Sequence, residues 1–238
     1  MESVKEYFAD LSRASTATLC TQLYRQGIRQ PYLVGVEPLG AESASFVGEA
    51  YTMRFIPSRE DIEPVGSNPY TAGNTLQWEA VEGVGEGDVL VVDSMGDTTA
   101  ASAGDILLTR AGVRGAAAFV TDGALRDGKA ISELELPAFA RRVTGTTRTA
   151  AFHVADLQVP IACAGVAVYP GDVLVGDING VVVVPRSLVP VIAESAAAQE
   201  ELEEWLQQKV KEGRELWGTY PPSEETLEEF NRERAHSS

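Results

Sequence analysis

At 238 residues, with 44% hydrophobic and 23% charged side chains, the chain has material for one large domain or two small ones with a substantial core. Its net charge of −16 argues against nucleic acid as a direct ligand, because phosphate contacts need clustered Lys and Arg; solubility is the ordinary reading of the charge, a basic partner the other. Cys20 and Cys163 lack metal or redox spacing and read as buried thiols, no apolar run approaches the roughly 20 residues of a membrane span, and the first residues have no signal-peptide character, so a cytoplasmic protein is expected.

Residues 3–26 predict helix with a break near 12–15, where capping residues cluster, and Gly27 closes the segment as a C-cap. Residues 30–48 are loop-rich, and 50–56 predict a strand ended by Pro57. The polar stretch 58–73, with Pro64 and Pro69, predicts a surface loop over a site. A helix is expected over 74–81, with Leu76 and Ala80 on one side. Gly87-Asp88 turns into a strand over 89–92. Then come a helix over 102–111 that stops at Gly112, a buried strand over 116–120, a helix over 128–133 and a short strand over 137–143. This alternation favours an α/β domain over an all-β sandwich.

From 159 to 185 the pattern has no room for a helix; strands are expected over 164–169, 173–175 and 181–184, separated by Gly, Pro, Asp and Asn. Gly87-Asp88-Val89-Leu90-Val91 recurs as Gly171-Asp172-Val173-Leu174-Val175, which reads as two tight turns feeding buried strands, with duplication as the alternative. A long helix rich in acids and alanines spans 186–212, and Gly213 interrupts it. Tyr220-Pro221-Pro222 ends the segment after that glycine, and 226–234 predicts a last short helix. No linker divides the chain. Residues 1–238 therefore read as one domain, with 186–238 a C-terminal helical extension expected to pack on a neighbouring subunit.

The chemistry concentrates between Gly104 and Asp127. Gly104-Asp105 opens a helix whose first amides, those of Ile106 and Leu107, are available to an anion, and Asp105 is a proton acceptor beside them. Arg126-Asp127 ends a turn with a guanidinium fork suited to carboxylate or enolate oxygens and a hard carboxylate of the kind Mg²⁺ or Mn²⁺ prefers. A helix-and-strand excursion can return the chain near its start, so Asp105, Arg126 and Asp127 are expected to share a pocket. Taken singly, the first motif also reads as ordinary helix capping and the second as a surface turn with a local ion pair. Other chemistries are poorly supplied: the two histidines, His153 and His236, do not furnish a Ser-His-Asp triad, there is no phosphate-binding glycine loop, and Lys129 reads as solvated.

The succession Gly104-Asp105-Ile106-Leu107, Gly112-Val113-Arg114-Gly115 and Thr121-Asp122-Gly123-Ala124-Leu125-Arg126-Asp127 resembles the RraA-like family. That family includes metal-dependent 4-hydroxy-4-methyl-2-oxoglutarate aldolases and regulators of ribonuclease E activity. The similarity continues through Pro137-Ala138-Phe139-Ala140, Gly165 to Asp172 and Gly176 to Pro185, and spans about residues 10–222. It implies a swivelling β/β/α fold, central β-sheets flanked by helices, assembled as homotrimers or homohexamers with active sites between subunits. It further implies that Asp127 binds a divalent metal and that Arg126 contacts the oxygen of a pyruvate enolate. Asp105 would position a water, Gly104, Ile106 and Leu107 would hold the substrate carboxylate, and a Glu of an adjacent subunit, Glu200, Glu203 or Glu204, would complete the site. The expected activity is class II cleavage of a 4-hydroxy-2-oxo acid to pyruvate, with oxaloacetate decarboxylation as a companion; the alternative is a non-catalytic regulator that binds ribonuclease E. One departure is Thr21-Gln22-Leu23, where the family often has Asp-Ala-Leu.

Overall fold

The computed structural model describes residues 3–40, 45–61 and 75–237; most of the expected loop over 58–73 lies outside them. A 3₁₀ turn (Lys5–Tyr7) leads into α1 (Phe8–Leu11) and then α2 (Thr16–Arg25). The break expected between them is a capped helix start: Ser15 Oγ accepts the Thr18 amide at 3.1 Å. The chain continues through β1 (Glu37–Pro38), β2 (Phe46–Pro57), α3 (Leu76–Gly83), β3 (Asp88–Asp93), β4 (Ala101–Ala103), α4 (Asp105–Val113), β5 (Ala118–Thr121) and β6 (Ala124–Leu125). Next come α5 (Gly128–Ser132), β7 (Ala138–Ala140), β8 (Arg142–Val143), a 3₁₀ turn (Arg148–Ala150), β9 (Phe152–Leu157), β10 (Ile161–Cys163) and β11 (Val166–Val168). It closes with β12 (Val173–Asp177), β13 (Gly180–Val184), α6 (Val189–Lys211) and α7 (Glu224–Ser237).

The main sheet has the order β1-β7-β5-β3-β2-β12-β13, with β9 also on β2. Strands β2, β3, β5 and β7 run parallel, and the outer pairings are antiparallel. Both faces of β3 are covered, which is why it reads as a continuous apolar run: Leu90 and Val92 enter a core with α3 and α4, while Val89 and Val91 face a second core inside the curved sheet. Residues 31–33 nearly close that curve, with the Leu33 amide donating to the Val181 carbonyl at 2.9 Å and Tyr32 bridging Val182. On the outside of β12 and β13, α1, α2 and α6 complete a third core around Val182, Val184, Leu19, Leu23 and Ile192.

The repeated Gly-Asp-Val-Leu-Val segments are two copies of one turn. In each, the Asp side chain accepts the amide three residues earlier, Gly85 to Asp88 at 2.8 Å and Tyr169 to Asp172 at 2.9 Å. In each the preceding glycine takes a left-handed φ, 80° at Gly87 and 83° at Gly171. The strands they feed flank β2 in opposite directions, so the shared element is the turn.

Two expectations need correction. Ser102 and Ala103 belong to β4, not to the following helix, because their backbone pairs with β6. The strand expected over 137–143 is two strands in different sheets, since the chain leaves the main sheet at Arg141. Strand β9 spans the segment around His153, which the sequence leaves between strand and loop; it is held by antiparallel pairing with the end of β2. At the C-terminus α7 folds back on α6, with Trp205 edge-on to Phe230 at 5.5 Å, Lys209 Nζ 4.9 Å from the Trp205 ring, and Arg214 paired with Glu229 at 2.6 Å. Among the described residues no helix is long and apolar enough to cross a membrane.

Candidate active site

Beside the main sheet lies a small parallel one, ordered β4-β6-β8. Ala103 stands opposite Leu125, and Leu125 opposite Val143, so the residues that leave β4 and β6 emerge side by side at the carboxyl edge. That edge is where open α/β sheets place ligands. Gly104-Asp105 follows β4 and starts α4; Arg126-Asp127 follows β6, with the Arg126 amide donating to the Ala103 carbonyl at 3.1 Å. The expected convergence of Asp105, Arg126 and Asp127 is therefore a matter of strand register. All three line an open cleft of about 230 Å³ with Gly104, Ile106 and Leu107.

The turn that carries the chain from β5 to β6 is held by a buried polar knot. Asp122, 2% exposed, accepts the amides of Ser94 at 2.7 Å, Gly96 at 2.9 Å and Ala164 at 3.1 Å. Beneath it the hydroxyls of Ser94, Ser102 and Thr121 contact one another within 3.2 Å. A Cβ on Gly123 would stand 2.7 Å from Ser94 Cβ, so only glycine lets the two sheets approach here. Burial pushes the Asp122 carboxyl above its usual range, although its three amide donors pull the other way. The same burial raises the Cys163 thiol, an inert core group; Cys20 is half-buried rather than buried.

At the cleft itself, Arg126 Nε donates to Asp127 Oδ2 at 3.1 Å, and both side chains keep solvent access. Asp127 takes a left-handed backbone, φ 62° and ψ 36°, a conformation few side chains tolerate and that Asp, like Asn, adopts more readily than most. Its carboxylate does not cap α5, the helix it precedes. The local ion pair, the plainer reading of this turn, is thus present in the structure. Asp105 Oδ1 accepts the Ile106 amide at 2.8 Å, so one of the two amides expected to cradle a carboxylate is held by the chain's own acid; the Leu107 amide has no acceptor among the described residues.

Two carboxylates on one cleft suit a Mg²⁺ or Mn²⁺ ion bound through one or two protein oxygens and several waters. They do not make an all-protein cage, and among the described residues no three His, Cys, Asp or Glu groups cluster for a metal. Gly104 is the fitted element. A Cβ there would lie 2.7 Å from Asp127 Oδ2 and 3.1 Å from Arg126 Cγ, although its φ of −128° strains no residue type. Gly104→Ala should therefore displace the Arg126 and Asp127 side chains with little loss of stability, and lower any turnover that depends on them by about 10²-fold. Steady-state kinetics beside thermal unfolding checks this; unchanged kinetics would show that the side chains of Arg126 and Asp127 move aside without consequence.

Glu200 and Glu203 lie on α6, away from this cleft. Glu200 accepts the Ser15 amide at 2.8 Å and Glu203 the Gln199 side chain at 2.7 Å. His153 sits on β9 opposite Ile56, and Lys129 is exposed on α5. The reading from residues missed Gln77 of α3 and Thr147, which complete the cleft with Arg148; no local pattern marks them, because they arrive from distant segments. A larger hollow of about 530 Å³ beside Cys20, Tyr24, Tyr32 and Val34 holds no comparable set of opposed charges.

The sequence profile of the RraA-like family, described as Aldolase/RraA, matches residues 16–183. The chain belongs to the RraA-like family. Among relatives of this RraA-like chain, a candidate 4-hydroxy-4-methyl-2-oxoglutarate aldolase of Halalkalibacterium halodurans is 39% identical over 138 residues, covering 52% of this chain and 64% of its own. An uncharacterised protein of Methanocaldococcus jannaschii is 33% identical over 48% of this chain and 54% of its own. The chain thus spans under two thirds of the length of these two curated relatives. Among solved structures, Streptomyces coelicolor RraAS2, described as an unusual member of the RNase ES inhibitor RraA family, superposes with a TM-score of 0.76 at 34% identity over 85% of this chain and 96% of its own. The RNA-processing inhibitor RraA of Thermus thermophilus gives 0.53 at 27% identity over 70% of this chain and 92% of its own. The expected RraA-like α/β fold with its long C-terminal helix is thereby borne out.

Proposed function

We propose that this RraA-like protein is a divalent-metal-dependent pyruvate aldolase that cleaves a 4-hydroxy-2-oxo acid, with oxaloacetate decarboxylation as a side activity. The observation that carries the reading is the pairing of Gly104-Asp105 with Arg126-Asp127 at the carboxyl edge of β4 and β6. The aldolase descriptions of relatives at 39% and 37% identity support it.

Cleavage between C3 and C4 leaves the electron pair on an enolate of pyruvate. A divalent cation held by Asp127 would supply the electrophile that stabilises that enolate. Arg126 directs its guanidinium at the developing oxyanion, where charge is greater in the transition state than in the substrate. The amides of Ile106 and Leu107, at the positive end of α4, hold the substrate carboxylate. That carboxylate competes with Asp105 for the Ile106 amide and so releases Asp105 to take the proton of the 4-hydroxyl, directly or through a water. Protonation of the enolate carbon then yields pyruvate. Glu200, Glu203 or Glu204 completes the water network from a neighbouring subunit of a trimer or hexamer.

Protein stripped with a chelator should release no pyruvate from 4-hydroxy-4-methyl-2-oxoglutarate or oxaloacetate, and Mg²⁺ or Mn²⁺ should restore turnover. Equal turnover before and after stripping would remove the metal from the reading, and none across a panel of 4-hydroxy-2-oxo acids would remove the aldolase. The likeness to Streptomyces RraAS2 favours a second reading, a regulator that binds a ribonuclease E partner through its acidic surface without chemistry. Affinity capture of ribonuclease E by the purified protein tests it.

A further inference from the structure

We infer that the part of the cleft beyond the proposed 2-oxo acid site receives an uncharged, hydroxylated tail, so that the substrate class is a short 4,5-dihydroxy-2-oxo acid. The inference rests on the aldolase reading for the position of the 2-oxo end. With Gly104 to Leu107, Arg126 and Asp127 given to that end, the cleft is still lined by Gln77, Ala101, Ala103, Thr147 and Arg148. The two alanines offer no polar side chain. Arg148 is buried, donates Nη1 to the Phe152 carbonyl at 2.7 Å and holds a further interaction, so its guanidinium is engaged within the protein. What remains to meet a tail is neutral: the Gln77 amide and the Thr147 hydroxyl.

The Gln77 amide has one orientation. Its residue is 9% exposed, and Nε2 donates to the Ser102 carbonyl at 2.7 Å on β4, an edge strand of the small sheet. A carbonyl only accepts, so the amide nitrogen must stand there and Oε1 is the end left over. No donor among the described residues reaches Oε1, and the atom keeps contact with solvent on the cleft side. An acceptor fixed on a largely dry wall selects for a donor. A tail carboxylate only accepts, and would set its oxygens against Oε1. A tail methyl would cover Oε1 and leave it unpaired. A hydroxyl donates to Oε1 and can accept from Thr147 Oγ1, so it alone satisfies both groups. This sets the chain apart from the relatives described by 4-hydroxy-4-methyl-2-oxoglutarate, whose tail ends in a carboxylate. The volume of about 230 Å³ is below the roughly 300–1,000 Å³ of clefts that take drug-sized ligands, which keeps the tail short.

The test is pyruvate release by the Mg²⁺-loaded full chain from 4-hydroxy-2-oxo acids that differ only at C5: 4,5-dihydroxy-2-oxopentanoate, 4-hydroxy-2-oxopentanoate and 4-hydroxy-2-oxoglutarate. In the first, the C3–C4 bond breaks, the O4 proton leaves as the carbonyl of glycolaldehyde forms, and C3 takes a proton to give pyruvate. The wild type is expected to favour the C5 hydroxyl over the C5 methyl by about tenfold or more in kcat/KM, with the dicarboxylate below the hydroxyl acid. Gln77→Met, matched in length but without an acceptor, should bring the hydroxyl-to-methyl ratio close to one. Thr147→Val, at an exposed position, should lower it in part. A wild-type ratio near one, or a dicarboxylate that is the best of the set, overturns the hydroxyl site and leaves the aldolase reading standing. So does a ratio that survives in Gln77→Met, or in Thr147→Val where the first variant does not fold. Release of pyruvate from none of the acids overturns both.

Discussion

If the protein is the proposed aldolase, Arg126→Ala should lower kcat for pyruvate release by about 10²–10³-fold, the cost of removing one donor aimed at a developing oxyanion. Its effect on stability is small. The Arg126–Asp127 pair is 45% and 35% exposed, and ion pairs of that exposure contribute at most about 1 kcal/mol. Chemistry and folding should therefore separate cleanly: saturating-substrate kinetics lose activity while the unfolding midpoint hardly moves. Arg126→Lys should recover only part of the loss, because a single ammonium does not reproduce the planar fork. A variant that keeps its kcat would remove Arg126 from the mechanism, and one that melts far below the wild type would make it a structural residue. The same substitution divides the two functional readings, since a protein that acts only by binding a ribonuclease keeps its partner affinity when pyruvate chemistry is lost.

Asp122→Ala costs on the order of 3 kcal/mol of folding free energy, because three amides lose their acceptor around a buried turn. For a chain of this size that lowers the unfolding midpoint by about 6–12 °C. Asp122→Asn costs less, since its one carbonyl oxygen still serves part of the set while its amide group faces a donor. The pH dependence has a definite sign. Burial raises the folded carboxyl above the ordinary aspartate value of 3.8, so the folded state holds the proton longer than the unfolded chain does. The contribution of this group is full below the unfolded pKa and is lost as pH rises through the folded one. The stability gap between wild type and Asp122→Asn should accordingly narrow as pH rises from about 3.5 to neutrality, measured by denaturant unfolding. A gap that widens over that range would mean that the amide donors outweigh burial.

Much of the scaffold is legible along the chain because its signals are local. Ser15 before Thr16, the β-branched run at 181–184 and the Gly-Asp turns before Val89 and Val173 each constrain backbone dihedrals within a few residues. Ala101-Ser102-Ala103 carries no such signal. Small residues become a strand there only because β6 returns beside them, and a helix is the natural expectation for them in isolation. The split of 138–143 between two sheets is equally silent, since both halves are extended and only their partners differ.

The candidate site divides along the same line. The residue types at 104–107 and 126–127 carry their chemistry in the sequence: an acid at a helix start, a guanidinium and a carboxylate at a turn. The resemblance to the family assigned their roles. Tertiary structure alone decided that the two segments emerge from neighbouring strands, through the pairing of Ala103 with Leu125. It also decided that Asp105 occupies the Ile106 amide, and that Gln77 and Arg148, well before and after this stretch in the chain, line the same cleft. Local patterns encode dihedrals and burial, whereas a site of this kind is made by register between strands, and register is a property of the folded backbone that no single segment holds.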